Sequence, residues 1–136
     1  MTVMHYTAIR GHSADFEVEY RFFTAEEGGR LSGPAWQHYR CDWAYSGDDI
    51  QKDGMFMIHP EFLTDSGELE SDGHPVAWTG RATMWILIPE MRQQVHQRRI
   101  KLGTQGYFME GNKRVAEAIV TKIIGLNTNP TATLKK

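Results

Sequence analysis

Phe16-Glu17-Val18-Glu19-Tyr20-Arg21-Phe22-Phe23 alternates apolar and charged side chains strictly until its last position. A period of two is that of a β-strand with one buried face, since successive side chains leave the pleat on opposite sides. The same period returns at Tyr39, Cys41, Trp43 and Tyr45, with Arg40 and Asp42 between them. Between the two runs, residues 24–33 break the pattern, and Gly28-Gly29 can take the positive φ of a turn. Further on, Ser46-Gly47-Asp48-Asp49 reads as a turn, and Asp53-Gly54 leads into a short apolar run, 55–58, ended by His59-Pro60. Residues 63–75 are acidic and glycine-rich, the composition of a loop.

Residues 76–78 and 82–88 read as more strand around a Thr79-Gly80 turn, until Pro89 stops them. Only 90–100 has residues that would accept a helix, and its apolar positions, Met91, Val95 and Ile100, make a weak stripe. Gly106-Tyr107-Phe108-Met109 and the β-branched run 115–124 flank a turn at Glu110-Gly111-Asn112-Lys113. Six or seven short strands with glycine-rich turns predict an all-β antiparallel barrel or sandwich. Residues 4–9 alternate weakly and can add an N-terminal strand, while 127–136 reads as a polar tail.

Length and composition narrow the function classes. A chain of 136 residues is one domain, and 40% hydrophobic with 24% charged residues is the balance of a globular protein. No apolar stretch approaches the roughly 20 residues that span a bilayer, and the first ten residues do not read as a secretory signal. A single cysteine, Cys41, leaves no internal disulfide and no multi-thiolate zinc site, and a reducing, cytoplasmic setting is expected. No phosphate-binding glycine loop is present, so no nucleotide partner or cofactor is expected. Charge is divided along the chain. Residues 1–90 carry 6 basic and 15 acidic side chains (net −9), and residues 91–136 carry 9 and 2 (net +7).

Three segments resemble one family. Residues 16–30, FEVEYRFFTAEEGGR, look like the opening of the C-terminal β-barrel domain of elongation factor Tu, where a Phe-Glu strand runs into Glu-Gly-Gly-Arg. Tyr39-Arg40-Cys41-Asp42-Trp43-Ala44-Tyr45 resembles that family's next strand, with Cys41 where proline is usual. Residues 107–120, YFMEGNKRVAEAIV, resemble its closing hairpin. The resemblance covers 15–126. It implies a six-stranded Greek-key barrel between an N-terminal extension (1–14) and the tail. The GTP-binding domain and second barrel of that family are absent, so no GTPase activity follows. In the family this barrel touches the T-stem of aminoacyl-tRNA and packs on the GTPase domain. Arg30, Glu110 and Gly111 are kept among the positions carried over to RNA contact. Asp42 replaces a glutamine that serves RNA there, and a carboxylate facing phosphate is repulsive. The hairpin's Gly-Gly-Arg has become Gly111-Asn112-Lys113, and glycines near its end have become Ala116 and Ala118.

No catalytic constellation is predicted, and the chain is not expected to be an enzyme. His5, His12, His38, His59, His74 and His96 stand singly, without the close spacing that places two on one metal, so no metal site is expected. His59-Pro60 and His74-Pro75 fit surface turns. Cys41 lies in phase with Tyr39 and Trp43 and reads as a buried, inert thiol. Glu26-Glu27 beside Arg30 is expected to cap backbone amides and pair locally. The basic set Arg92, Arg98, Arg99, Lys101, Lys113, Arg114 and Lys122 either forms one phosphate-binding patch or pairs with the acidic first half. Trp43 and Trp85 are expected in the core, and Trp36 and Trp78 nearer turns, where an indole can anchor an interface. The expected function is therefore a binding module acting through a protein interface. Its partner would be a toxin, with this chain as an immunity or antitoxin-like protein, or a translation-related protein, with this chain as a decoy of the elongation factor. RNA with tRNA-like stems is the alternative partner. The candidate binding residues are Arg30, Tyr39, Arg40, Glu110, Gly111, Lys113 and Arg114.

Overall fold

The computed structural model describes residues 5–133. Its six strands are β1 (Phe16–Phe22), β2 (Asp42–Tyr45), β3 (Ile58–Leu63), β4 (Thr79–Ile86), β5 (Gln105–Glu110) and β6 (Lys113–Ile123). All pair antiparallel in the order β2-β5-β6-β1-β4-β3, and the sheet curls into a half-barrel. An isolated bridge links its two ends: Trp43 N–H donates to Phe56 O at 2.8 Å, and Phe56 N–H returns to Trp43 O at 2.9 Å.

The alternation read in residues 16–22 is the burial pattern of β1, with Phe16, Val18, Tyr20 and Phe22 all inside. They pack with Trp43, Phe62, Met84 and Phe108 in the core. Trp43 lies across β5, where a Cβ on Gly106 would come within 2.2 Å of its ring. That close approach is what the glycine there is for.

Several elements differ from the sequence reading. Strand β2 begins at Asp42 rather than Tyr39, because Asp42 already faces Met109 and β5 ends at Glu110. Thr79 and Gly80 are not a turn: they face Arg21 and Tyr20 in the β1–β4 ladder. Gly80 has room for the Tyr20 ring, whose hydroxyl would be 3.1 Å from an added Cβ. His59 and Pro60 are not a surface turn either, since both are buried in β3. As an edge strand, β3 tolerates a residue with no N–H to donate. The expected N-terminal strand is instead a short helix, α1 (Tyr6–Arg10), closed by Gly11 at φ 73°. Met4, part of that expectation, lies outside the described residues.

A one-turn helix, α2 (Ile50–Asp53), precedes the bridge to Phe56. Residues 90–100, whose composition accepts a helix, take that form: α3 (Pro89–Met91), a π-helical turn (Arg92–His96) and α4 (Gln97–Arg99). Arg92 and His96, at the two ends of the π turn, are both buried. The described part of the segment read as a polar tail, residues 127–133, docks on this helix: Thr133 donates its N–H to Glu90 at 3.1 Å, and just before the tail Leu126 O accepts from the Gln97 side chain at 3.1 Å. Beneath it, Arg92 donates to both oxygens of fully buried Asp15 (Nε–Oδ1 2.7 Å, Nη2–Oδ2 3.2 Å), to Ile86 O and to Pro130 O. Asp15 also accepts from Ile86 N–H and Asn129 Nδ2.

Candidate functional site

Three of the seven candidate binding residues converge. Arg30 donates from Nε to Glu110 Oε2 at 2.7 Å and from Nη1 to Gly33 O at 2.7 Å. Its guanidinium lies 5.3 Å from the centre of the Tyr39 ring, and the Tyr39 hydroxyl donates to the same Glu110 oxygen. Burial, and then this bond to a carboxylate, push the Tyr39 hydroxyl far above the ordinary tyrosine range. The cluster ties loop 23–41 to the β5–β6 hairpin, where Gly111 turns the chain at φ 59°. Lys113, opposite Glu110, and Arg114, stacked 4.4 Å over Tyr107, are exposed on the same hairpin. Arg40 is exposed too, but its charge is felt at Tyr6 and His59, on the α1 side.

Beside this cluster lies apolar surface. Leu31, Trp36 and Trp78 are 88%, 52% and 46% exposed. Trp36 bridges to Pro75, and an added Cβ on Gly33 would meet the Trp78 ring at 3.6 Å, so the two indoles sit on adjoining loops. Trp43 and Trp85 are in the interior, as expected.

The basic set does not form one patch. Arg92 is spent on Asp15 inside the protein, and Arg99 makes two bonds to Asp48 at 2.7 and 2.8 Å while lying 3.9 Å over Tyr45. Both pairs join the basic end of the chain to its acidic part. Arg98 bonds back to Gln94 O. Lys101 precedes β5 and Lys113 follows it, so a strand's length of about 20 Å separates the two basic groups. Glu27 caps Thr24 N–H at 2.9 Å as expected, but its ion-pair partner is Arg21 at 3.0 Å, not Arg30. Cys41 is buried, and burial pushes its thiol far above the ordinary range.

A second cluster was not legible in the spacing of the histidines. One ring nitrogen each of His5 and His38 and a carboxylate oxygen of Glu61 lie within 4.8 Å of one another. His5 precedes α1, His38 stands in loop 23–41, and Glu61 is on β3, 1% exposed. Glu61 Oε2 accepts Tyr6 N–H at 2.9 Å and lies 3.5 Å from His5 Nδ1. His38 Nε2 is 3.3 Å from Asp72 Oδ1, in the long loop between β3 and β4. His5 Nδ1, His38 Nε2 and Asp72 Oδ1 are all shielded from solvent, yet none makes a hydrogen bond among the described residues. His38 is also the one non-glycine residue at positive φ (67°) among the described residues. Nearby, His59 Nδ1 bonds to Cys41 O at 2.8 Å, and burial lowers that imidazole's pKa.

The fold and these surfaces define a small, mostly β protein with a six-stranded antiparallel half-barrel and two functional candidates on its loops. The chain matches no protein-family model, and no curated protein matches it. No helix among the described residues is long and apolar enough to cross a membrane.

Proposed function

We propose that this chain is a non-enzymatic binding module that takes a protein partner on the surface carrying Leu31, Trp36 and Trp78, beside the Arg30–Tyr39–Glu110 cluster. The observation that carries the reading is the exposure of two tryptophans on adjoining loops. Tryptophan and arginine dominate binding energy at protein interfaces, and here the arginine is already oriented by a carboxylate and a carbonyl. On this reading the half-barrel is a Greek-key barrel akin to the third domain of elongation factor Tu. It would act as an immunity-like protein covering a toxin or as a decoy in translation. Dispersal of the basic residues weighs against RNA, because a stem needs phosphates met along one continuous face.

The test is a pull-down from the source cell at physiological salt, beside a salt-titrated binding assay with total tRNA. The expected result is one stoichiometric protein retained by the wild type and lost with the Trp36→Ala/Trp78→Ala double variant. Absence of any such protein, together with tRNA binding that falls about tenfold or more between low and moderate salt, would replace the reading with the RNA one.

A further inference from the structure

We propose that His5, His38 and Glu61, with Asp72 as a fourth ligand, form a site for one divalent transition-metal ion of the zinc class. The first ground is unmet chemistry. A buried imidazole nitrogen or carboxylate oxygen without a hydrogen bond costs about 1–3 kcal/mol or more. Three such atoms belong to this one cluster. Chance would scatter them.

The second ground is distance. Tetrahedral zinc with bonds of about 2.0–2.1 Å holds its ligand atoms about 3.3–3.4 Å apart. The His5–Glu61 and His38–Asp72 contacts are 3.5 and 3.3 Å, yet neither is a hydrogen bond. Atoms packed that closely without a hydrogen bond between them suit ligands of a common centre. His5, His38 and Glu61, all within 4.8 Å, need to close by under about 1 Å each to reach bonding distance.

The third ground is the backbone. His38 holds a left-handed conformation that costs a non-glycine residue about 1–2 kcal/mol. Glycine would be the default there, so a side chain at that position is retained for what it does. Two imidazoles and two carboxylates also suit the ion: a dication balances both acidic charges, and imidazole with carboxylate is a donor set zinc accepts. Bound there, the ion clasps the start of α1, loop 23–41 and β3 together, and so braces the loop that carries Trp36. The other histidines take no part. His12, His59 and His96 are bonded to Ser13 O, Cys41 O and the Tyr45 hydroxyl, and His74 bonds to Ser71 and to Pro75 O.

The test uses the full chain, stripped with chelator and titrated with zinc by calorimetry, and with cobalt by its visible absorbance. One equivalent of zinc is expected to bind, to raise the melting temperature, and to be mirrored by cobalt with the intense bands of a four-coordinate site. His38→Gly keeps the backbone conformation, and Glu61→Gln keeps an acceptor for Tyr6 N–H. Both are expected to fold and to lose affinity at least about tenfold, whereas His74→Gln binds as the wild type does. No stoichiometric binding by the wild type, or undiminished affinity in both His38→Gly and Glu61→Gln, would overturn the site.

Discussion

Two polar clusters sit in this small protein, one fully buried and one half-buried, and they are built in opposite ways. Around Asp15 and Arg92 every charged atom has a partner: both carboxylate oxygens accept twice, and the guanidinium reaches Asp15, Ile86 O and Pro130 O. Around Glu61, three atoms of His5, His38 and Asp72 make no hydrogen bond among the described residues, and only contacts of 3.3 and 3.5 Å join them. Full satisfaction is what a structural latch requires, because a half-satisfied network in low dielectric is worse than an apolar core. The Asp15 cluster joins the start of β1, the helical segment and the C-terminal residues, and its chemistry is finished. The Glu61 cluster is incomplete by the same standard. An incomplete cluster that persists in a folded protein points to a ligand.

The comparison can be broken first at Arg92. Arg92→Met is expected to leave Asp15 charged and buried without its counter-ion, at a cost of about 3–5 kcal/mol. A loss of unfolding free energy in urea below about 1 kcal/mol would show that the latch is not what holds the helix and C-terminal segment down.

His96, four residues on, is a mixed case: it makes one hydrogen bond, yet its burial penalises the charged form. Its Nδ1 lies 2.6 Å from the Tyr45 hydroxyl, and burial lowers its pKa to about 4 from the ordinary 6.5. Here the folded pKa lies below the unfolded one, so the unfolded chain binds the proton more readily. Stability from this group is full above about pH 6.5, falls as pH drops toward 4, and is flat below. The loss is about 3 kcal/mol across that window. Denaturation midpoints measured along it should slope in the wild type and flatten in His96→Phe.

A smaller effect, of opposite sign, is expected at His38. In metal-free buffer His38→Gly relieves the left-handed backbone, and stability should be unchanged or higher by up to about 1 kcal/mol. Destabilisation as large as that of Arg92→Met would place this cluster with the structural latch. The smallest effect belongs to the exposed indoles: Trp36→Ala and Trp78→Ala should each move stability by no more than about 0.5 kcal/mol. Their consequence is read in partner capture.

Legibility followed the range of the interaction that decided each feature. The β1 alternation and the buried Trp43 were readable because period-two patterning is local. Residue preferences showed that 90–100 accepts a helix, but neither that it forms one nor that it contains a π turn. Thr79-Gly80 was misread because the glycine serves a cross-strand contact with Tyr20, not a turn. His59-Pro60 was misread because a His-Pro pair resembles loop punctuation until an edge strand has a place for it. At the candidate surface, Arg30 and Glu110 were found through motif resemblance, and the ion pair between them was not foreseen. The His5–His38–Glu61 cluster left no signal in spacing, since its members come from three separate segments.

The sequence by itself determined a mostly β fold of short antiparallel strands with an aromatic core, because alternation and turn composition are properties of neighbouring residues. Only the tertiary structure decided which charges are spent and which are free. Arg92 looks like any surface arginine until the chain returns over it, and His5 and His38 look solitary until the half-barrel curls. A side chain's partners depend on distances between remote segments, and those exist only after folding.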